Sequence, residues 1–298
     1  MKMDNSNEKS NLFNFSDLSV EELRNLQLKL VNLLNIFEDF CKDNHLRYFL
    51  AAGTCLGAVR HHKFIPWDDD LDLAMPRDDF EKLFKLWNNN NNRYQLLRPS
   101  RSILTGVHIG QLRDSETTCI YEYARNYDIC HGIKIDIEPI DGCPDNKFFQ
   151  SIQKFFCSVY GLMSAQRVPN HASNSKKYLA RVILSLIPFK TLRFGLFHFA
   201  ECQIKKYKYN ECNKLRYNYG RIMDKSIVDD IICVEFEGKL RPIPKNYDNY
   251  LKIAYGDYMK FPPLEKRKPE TRVYFYDLYS PYHKYKGLKY CCSKKNQF

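Results

Sequence analysis

The sequence lacks the patterns that mark a secreted, disulfide-bonded or zinc-binding protein. Its first fifteen residues, MKMDNSNEKSNLFNF, are polar and have no apolar core of the kind found in a secretory signal peptide. Eleven cysteines occur, but no two have the CxxC spacing, and the only close pair is the adjacent Cys291 and Cys292. We therefore expect reduced thiols, a cytoplasmic protein and no structural zinc site.

A membrane-spanning segment is also missing. Residues 176–208, KKYLARVILSLIPFKTLRFGLFHFAECQIKKYK, contain apolar runs, but these fall short of the roughly 20 largely uncharged residues that a spanning helix needs. Lysines at both ends of this segment suit a helix that lies on an anionic membrane surface. Two ordinary amphipathic helices packed on the rest of the protein are the alternative.

Nucleic-acid-binding motifs and internal repeats are absent as well. The 298 residues include 46 Lys and Arg against 35 Asp and Glu, a formal charge of +11. This excess favours a polyanionic partner, which is a nucleic acid, an anionic membrane face or a phosphorylated substrate. Without a binding motif, we do not expect a nucleic-acid partner.

What is present is a sequence typical of a folded α/β protein. Residues 19–44 predict a long helix, because Ser19 and Glu22 form a capping box and apolar residues recur at helical spacing. Alternating polar and apolar residues predict strands at YQLL, VHIGQLRD and GIKIDIEPI, and helical patterns follow from about residue 145. The predicted organisation is a flexible lead-in (1–15), a catalytic core (16–144) and a helical C-terminal region that contributes to acceptor and donor binding (145–298).

An acidic cluster dominates the core, in FIPWDDDLDLAMPRDDF (64–80). If DDDLDLAM is a strand, Asp68, Asp70 and Asp72 project from one face and Asp69 from the other. Carboxylates so close together repel unless a cation neutralises them, and hard divalent ions prefer carboxylate oxygens. The cluster therefore predicts a Mg²⁺ or Mn²⁺ site, with a solvated acidic turn as the alternative.

A further carboxylate is expected from GIKIDIEPID (132–141), where isoleucines alternate with polar residues. On a neighbouring strand Asp136 would face the same metal as Asp70 and Asp72, as in enzymes that displace at phosphorus. Glu138 and Asp141 remain alternatives for this position.

The stretch AAGTCLGAVRHHKF (51–64) suggests a phosphate-binding turn just before the acidic cluster. Gly53 allows close backbone approach, Thr54 offers a hydroxyl, and the amides that open the following helix can meet a phosphate. Arg60 and Lys63 are expected to balance the phosphate charge.

Three blocks of the sequence resemble the LicD family, which includes bacterial phosphocholine transferases and is related to fukutin. They are GTCLGAVRHHKFIPWDDDLDLAMPRDDFEKL, GIKIDIEPIDGCP and FEGKLRPIPKNYDNYLKIAYGDYMKFPPLEKR. The resemblance implies a nucleotidyltransferase-like mixed sheet with flanking helices. It matches the Gly53-Thr54 turn, Asp70, Asp72 and Asp136 to the family's phosphate-contact and metal positions, with Asp68 nearby.

The resemblance also implies the reaction. We expect a metal-dependent transferase that moves a phosphorylated alcohol, with phosphocholine as the expected group, from a CDP-activated donor such as CDP-choline to a hydroxyl of a cell-surface glycan or its lipid-linked precursor, releasing CMP. The alternative is NMP transfer from an NTP, which uses the same carboxylates and expels pyrophosphate. Acceptors carried on lipids would place the protein at the inner membrane face, in contact through residues 176–208.

Overall fold

The structure, a computed structural model, describes residues 13–90, 92–100, 105–168, 173–217 and 220–292, so residues 1–12 of the predicted lead-in lie outside it. Within these ranges the helices are α1 (Val20–Asp43), α2 (Ala52–His61), α3 (Arg77–Leu86), α4 (Lys147–Ala165), α5 (Asn174–Leu186), α6 (Lys190–Ile204) and α7 (Tyr247–Tyr255). The strands are β1 (Phe13–Asn14), β2 (Phe49–Leu50), β3 (Asp72–Pro76), β4 (Tyr94–Leu97), β5 (Gly110–Asp114), β6 (Thr118–Tyr121), β7 (Lys134–Cys143), β8 (Lys214–Tyr217), β9 (Arg221–Asp224), β10 (Ile231–Phe236), β11 (Lys239–Pro244) and β12 (Arg272–Asp277). The predicted α/β class is confirmed.

The first helix shows how directly the local sequence sets an element. Ser19 caps α1 by accepting from Glu22 N at 3.2 Å, and the Glu22 carboxylate accepts from Ser19 N at 2.8 Å, which is the predicted capping box. Apolar residues on one side of α1, among them Leu34 and Phe37, are fully buried in the main core. The predicted helix over residues 19–44 is confirmed.

A mixed sheet organises the core, in the order β2-β3-β7-β5-β4. Only β3 and β7 run parallel, while the other neighbours are antiparallel. The C-terminal part of β7 continues the sheet by pairing with β8, which pairs with β9. Because β7 contacts β3, β5 and β8, it is the strand on which the sheet is built.

Residues 13–15 belong to the folded protein rather than to a lead-in. Phe13 and Asn14 pair with β12, which in turn pairs with β6 in a separate antiparallel sheet. Phe15 is buried in the main core, and the burial of this aromatic ring gives the physical reason for an ordered segment here.

The C-terminal region divides into a helical part and a part that returns to the core. As predicted, α4, α5 and α6 fill the first section, and they share a small apolar core of their own that includes Tyr160 and Phe197. From residue 214 onward the chain forms β8 to β12, and the main core extends to Leu278. The main hydrophobic core is therefore built from both sides of the predicted boundary at residue 144. Among the described residues, no helix has the length and apolar character required to span a membrane.

Candidate active site

Two neighbouring parallel strands bring the first pair of predicted carboxylates together. Asp72 begins β3 and is in register with Asp136 on β7. The alternation of β7 sends Ile135 and Ile137 into the core, so Asp136 lies on the opposite face. Two acidic residues from distant parts of the chain thus share one region of the sheet.

The carboxylate of Asp136 is held by residues for which the sequence analysis assigned no role. Gln111 Nε2 donates to Asp136 Oδ1 at 2.9 Å, and Lys134 Nζ forms an ion pair with Oδ2. Arg113, which is fully buried, orients Gln111 by donating from Nη2 to its Oε1 at 2.6 Å. The alternation of polar and apolar residues that predicts the position of Asp136 could also have placed Lys134 on the same face of β7. Gln111 and Arg113 come from β5, so only the sheet pairing reveals them.

Two hydrogen bonds connect the start of α2 to Asp72. Thr54 Oγ1 accepts from Asp72 N at 2.9 Å, and Ala51 N donates to Asp72 O at 2.9 Å. A threonine hydroxyl both accepts and donates, so Thr54 retains a proton that it can donate to a ligand. The sequence analysis places Gly53 and Thr54 in a turn before the helix, whereas α2 begins at Ala52 and includes both. Their amides therefore lie in the first helical turn, where backbone N–H groups have no intrahelical acceptor.

The three consecutive aspartates lie in a loop, so the predicted strand is wrong before Asp72. Asp68 N donates to Ile65 O at 2.9 Å and closes a turn, and side chains alternate only along extended backbone. Carboxylate oxygens of Asp68, Asp69 and Asp70 lie within 4.8 Å of one another. The predicted orientation of Asp69, away from its neighbours, is therefore also wrong.

Asp69 links the loop to a distant segment. Its Oδ2 accepts from Thr271 N at 3.0 Å and its Oδ1 accepts from Thr271 Oγ1 at 3.0 Å. Thr271 immediately precedes β12, about two hundred positions along the chain. Asp69 thus fixes the shape of the acidic loop, a role that local sequence does not reveal.

Asp68 has a carboxylate oxygen that the protein itself does not satisfy. Its Oδ2 is buried and has no hydrogen-bond partner among the described residues. A Cβ at Gly53 would lie 3.0 Å from this oxygen, so the glycine leaves space beside it. A buried acceptor without a partner is costly unless a ligand fills its coordination.

The acidic residues raise one another's pKa values. Burial, and then the charges of neighbouring aspartates, raise the pKa of Asp70 to about 6 and that of Asp68 and Asp72 well above the ordinary range. The ammonium group of Lys134 opposes this effect at Asp70 and Asp72. Lys134 offsets only part of this negative charge, because the pKa values of Asp70 and Asp72 stay raised despite it. Carboxylate oxygens with an unsatisfied Asp68 Oδ2 form a donor set that fits Mg²⁺ or Mn²⁺.

The structure separates the two alternatives to Asp136. Asp141 forms a buried bidentate ion pair with Arg77, with both N–O distances 2.7 Å, so its oxygens are engaged within the fold. Glu138 follows Asp136 on the same face of β7, and its Oε2 is buried with no hydrogen-bond partner among the described residues. Burial and the charge of Asp136 raise the pKa of Glu138 to about 7, although Tyr217 acts to lower it.

A cavity of about 330 Å³ lies against the acidic loop. Trp67 and the three aspartates line it, and the segment after α7 contributes Lys266 and Lys268 together with Glu270. The cavity therefore combines a carboxylate cluster with two lysines, which suits a metal-bound phosphate ester. Neither lysine is predicted from the sequence to belong to the site.

The predicted phosphate-balancing residues, Arg60 and Lys63, lie at and beyond the other end of α2 from Gly53. Arg60 Nη1 donates to Tyr258 O at 2.9 Å, and its guanidinium lies 4.5 Å from the centre of the Phe261 ring. The Arg267 guanidinium lies 5.1 Å from the same ring and 5.8 Å from that of Trp67, which lines the cavity. Arg60 is thus connected to the cavity-lining Trp67 through Phe261 and Arg267. Lys63 is exposed.

Comparison with known proteins identifies a matching family and several relatives. Residues 45–117 match the family described as LicD/FKTN/FKRP, nucleotidyltransferase domain. Lipopolysaccharide cholinephosphotransferase LicD of Haemophilus influenzae is 30% identical over 267 residues, which is 83% of this chain and 95% of that protein.

Two further matches are shorter. An uncharacterised protein of Rickettsia typhi is 37% identical over 67 residues, 22% of each chain. Mannosyltransferase regulator 4 of Saccharomyces cerevisiae is 28% identical over 74 residues, 25% of this chain and 6% of that protein.

Proposed function

Because the chain belongs to the LicD family, we propose that it is a metal-dependent transferase that moves phosphocholine from CDP-choline to a hydroxyl of a cell-surface glycan or its precursor. The observation that carries this proposal is the pairing of Asp72 with Asp136 next to an acidic loop in which Asp68 Oδ2 has no partner among the described residues. Asp68 and Asp72 lie inside the segment that matches the family, and Asp136 follows it. The phosphocholine group is supported by the name of the Haemophilus relative, whose sequence this chain covers almost completely.

In this proposal Asp68, Asp70, Asp72 and Asp136 hold Mg²⁺ or Mn²⁺. A bound divalent ion would neutralise the donor diphosphate and stabilise the charge that develops on the leaving CMP. Lys134 and Gln111 fix the orientation of the Asp136 carboxylate, which would be one of the residues that hold the ion. The divalent ion is the only cofactor proposed.

The donor phosphates would lie between the start of α2 and the basic side of the cavity. The first-turn amides at Gly53 and Thr54 and the Thr54 hydroxyl donate hydrogen bonds to phosphate oxygens. Lys266 and Lys268 supply positive charge from the facing wall, and Arg60 with Arg267 extends it along the edge. Lys63 contributes less to the positive potential at the phosphates, because it is exposed and solvent ions screen its charge.

The acceptor hydroxyl would be activated by Glu138. Both oxygens of Asp136 already have partners in the protein, whereas Glu138 Oε2 has none among the described residues. The acceptor oxygen attacks the phosphorus that bears choline and gives its proton to Glu138. The bond from that phosphorus to the bridging oxygen breaks, and CMP leaves with the electron pair.

We place the reaction in the cytoplasm, with no nucleic-acid partner. All eleven cysteines are free thiols, which suits a reducing compartment.

A donor panel tests the proposal. The purified protein is incubated with Mg²⁺, a glycan acceptor and, separately, CDP-choline, other CDP-alcohols and the four NTPs, while CMP and pyrophosphate are measured. We expect CMP from CDP-choline, no pyrophosphate from any NTP, and loss of turnover in EDTA that Mg²⁺ or Mn²⁺ restores. Pyrophosphate release would instead establish NMP transfer, CMP from another CDP-alcohol alone would replace choline, and full turnover in EDTA would rule out the metal site.

A further inference from the structure

The helical unit α4–α6 carries almost all of the net charge of the protein. Residues 147–208 contain eleven Lys and Arg and a single acidic residue, Glu201, which leaves +10 of the chain's +11. The remainder of the chain is therefore close to neutral, so the basic character belongs to one structural unit.

The same unit presents an unusual number of apolar side chains to solvent. Nine of the twenty-one large hydrophobic residues that are exposed in the described part of the chain lie here: Phe148, Phe149, Phe155, Tyr178, Leu179, Leu186, Phe189, Leu192 and Phe199. Phe148, Phe155 and Leu186 are 68%, 62% and 74% exposed. Large apolar side chains at such exposure are costly in water and indicate a contact surface.

The exposed residues follow the helix repeat. The pairs Phe148 and Phe155 on α4, Leu179 and Leu186 on α5, and Leu192 and Phe199 on α6 are each separated by seven positions, two helical turns. Members of each pair thus lie on the same side of their helix.

The inward sides of these helices pack against one another. Their small core is formed by other residues, such as Tyr160, Met163 and Phe197. The outward apolar residues are therefore not needed to hold the unit together.

Exposed cations accompany these apolar residues and have no acidic partner. Lys147, Lys154, Lys176, Arg181 and Lys206 are exposed, and none takes part in an ion pair between described residues. By contrast, Lys205 pairs with Glu81 and Glu201, and Lys208 pairs with Glu211.

These features decide among three kinds of partner. A second copy of the chain would bring a like charge of +10 to the contact, which opposes association. A nucleic acid would engage the lysines and leave the aliphatic and phenyl groups in water. An anionic bilayer satisfies both, because its headgroups attract the cations and its acyl region receives the apolar groups.

We propose that the outward surface of α4–α6 docks on an anionic lipid bilayer. The surface includes α4, which lies outside residues 176–208, the segment that sequence alone indicates. The unit is fixed to the catalytic core, since Tyr160 OH donates to His108 O at 3.1 Å and Lys205 Nζ lies 2.7 Å from Glu81 Oε1. Docking therefore holds the whole enzyme at the membrane without a spanning helix.

Vesicle co-sedimentation tests the surface. The full chain is mixed with vesicles of phosphatidylcholine and phosphatidylglycerol, or of phosphatidylcholine alone, at low and high salt. We expect pelleting with the anionic vesicles that weakens as salt rises, since salt screens the attraction between basic residues and anionic headgroups. The triple variant Phe148→Ser, Phe155→Ser, Phe199→Ser should bind at least about tenfold more weakly. So should the double variant Lys147→Glu, Lys154→Glu.

Matched controls distinguish binding through this surface from nonspecific hydrophobic or electrostatic adsorption. Leu240→Ser with Leu288→Ser removes two equally exposed leucines elsewhere, and Lys42→Glu with Lys85→Glu reverses two other exposed lysines. Both controls should pellet like the unmodified protein. Phe155→Trp should shift its fluorescence to shorter wavelength on vesicle addition, which reports insertion without a loss of folding.

Three results would overturn the proposal: unchanged pelleting of both α4–α6 variants, preferential binding to single-stranded RNA over anionic vesicles, or a stable dimer abolished by the phenylalanine variant. Binding is measured without turnover, so it is independent of the proposed reaction. CMP release with a water-soluble acceptor should be the same in all variants.

Discussion

Asp72 contributes its backbone to the sheet and its side chain to the candidate site, and an asparagine variant separates these roles. Asp72→Asn keeps the volume and the β3 hydrogen bonds but removes a charge that its neighbours repel. We expect stability to be unchanged or slightly raised, while transfer falls by at least about a hundredfold. Asp70→Asn should behave in the same way.

The measurements are thermal unfolding and the rate of CMP release from CDP-choline. Asp145→Asn, an exposed aspartate outside the site, is the matched control and should be close to the unmodified protein in both. If Asp72→Asn retains most of its turnover, the proposed metal position is wrong.

Glu138 and Asp141 should give opposite phenotypes. Glu138→Gln removes a carboxylate whose Oε2 has no hydrogen-bond partner among the described residues, so turnover should fall by about a hundredfold or more with little loss of stability. Asp141→Asn removes the buried bidentate charge partner of Arg77 and leaves its longer ion pair with Glu81 at 3.4 Å, which should lower the free energy of unfolding by about 3 kcal/mol.

Urea unfolding and single-turnover CMP release on the two variants distinguish these outcomes. A stable Asp141→Asn protein without activity, beside an active Glu138→Gln protein, would exchange the roles assigned to the two residues.

Elements of the fold depend on each other through a few charged contacts, and Glu81 joins α3 to the end of α6. Its carboxylate pairs with Lys205 at 2.7 Å and with Arg98 at 2.9 Å. Burial alone would raise the pKa of Glu81, but these two cations lower it to about 2. The contact helps attach the α4–α6 unit to the catalytic core.

Glu81→Gln should therefore loosen α6 more than the sheet. We expect amide hydrogen exchange in α6 to become about tenfold faster, a change of about 1.4 kcal/mol, while β7 changes little. Glu211→Gln, which breaks an exposed pair with Lys208, is the control and should leave α6 unchanged. Equal acceleration in α6 and β7 would show that Glu81 acts on the whole fold.

For the molecule as a whole, His131 should make stability depend on pH. The ring is buried and its Nε2 lies 2.9 Å from Tyr127 O, so it is neutral with the proton on Nε2. Burial, followed by the charge of Arg113, lowers the pKa of His131 to about 4, against about 6.5 in an unfolded chain. A depressed pKa contributes stability that is fully present above about pH 6.5 and is lost as the pH falls toward 4.

Between about pH 7.5 and pH 5, His131 should account for a loss of about 2 kcal/mol in the free energy of unfolding. Burial lowers the pKa of His108 to about 4 as well, so a similar dependence remains from that residue. In His131→Gln the pH dependence over this range should become correspondingly shallower in urea unfolding. An identical pH profile in this variant would mean that the pKa of His131 is the same in the folded and unfolded states.

The sequence by itself determined the elements whose pattern repeats over a few residues. The capping box and apolar spacing set α1, and the alternation of isoleucines set β7 and the face on which Asp136 lies. These features depend on backbone periodicity and on contacts within one or two turns, so a single stretch of sequence contains the information.

Tertiary structure decided how those elements form a site. The acidic loop takes its shape from Asp69 and Thr271, the cavity gains Lys266 and Lys268, and Asp141 is assigned to Arg77. None of these partners follows from spacing, because each contact joins segments that are far apart along the chain. Whether a carboxylate is a ligand or half of an ion pair depends on which distant side chain folding brings to it.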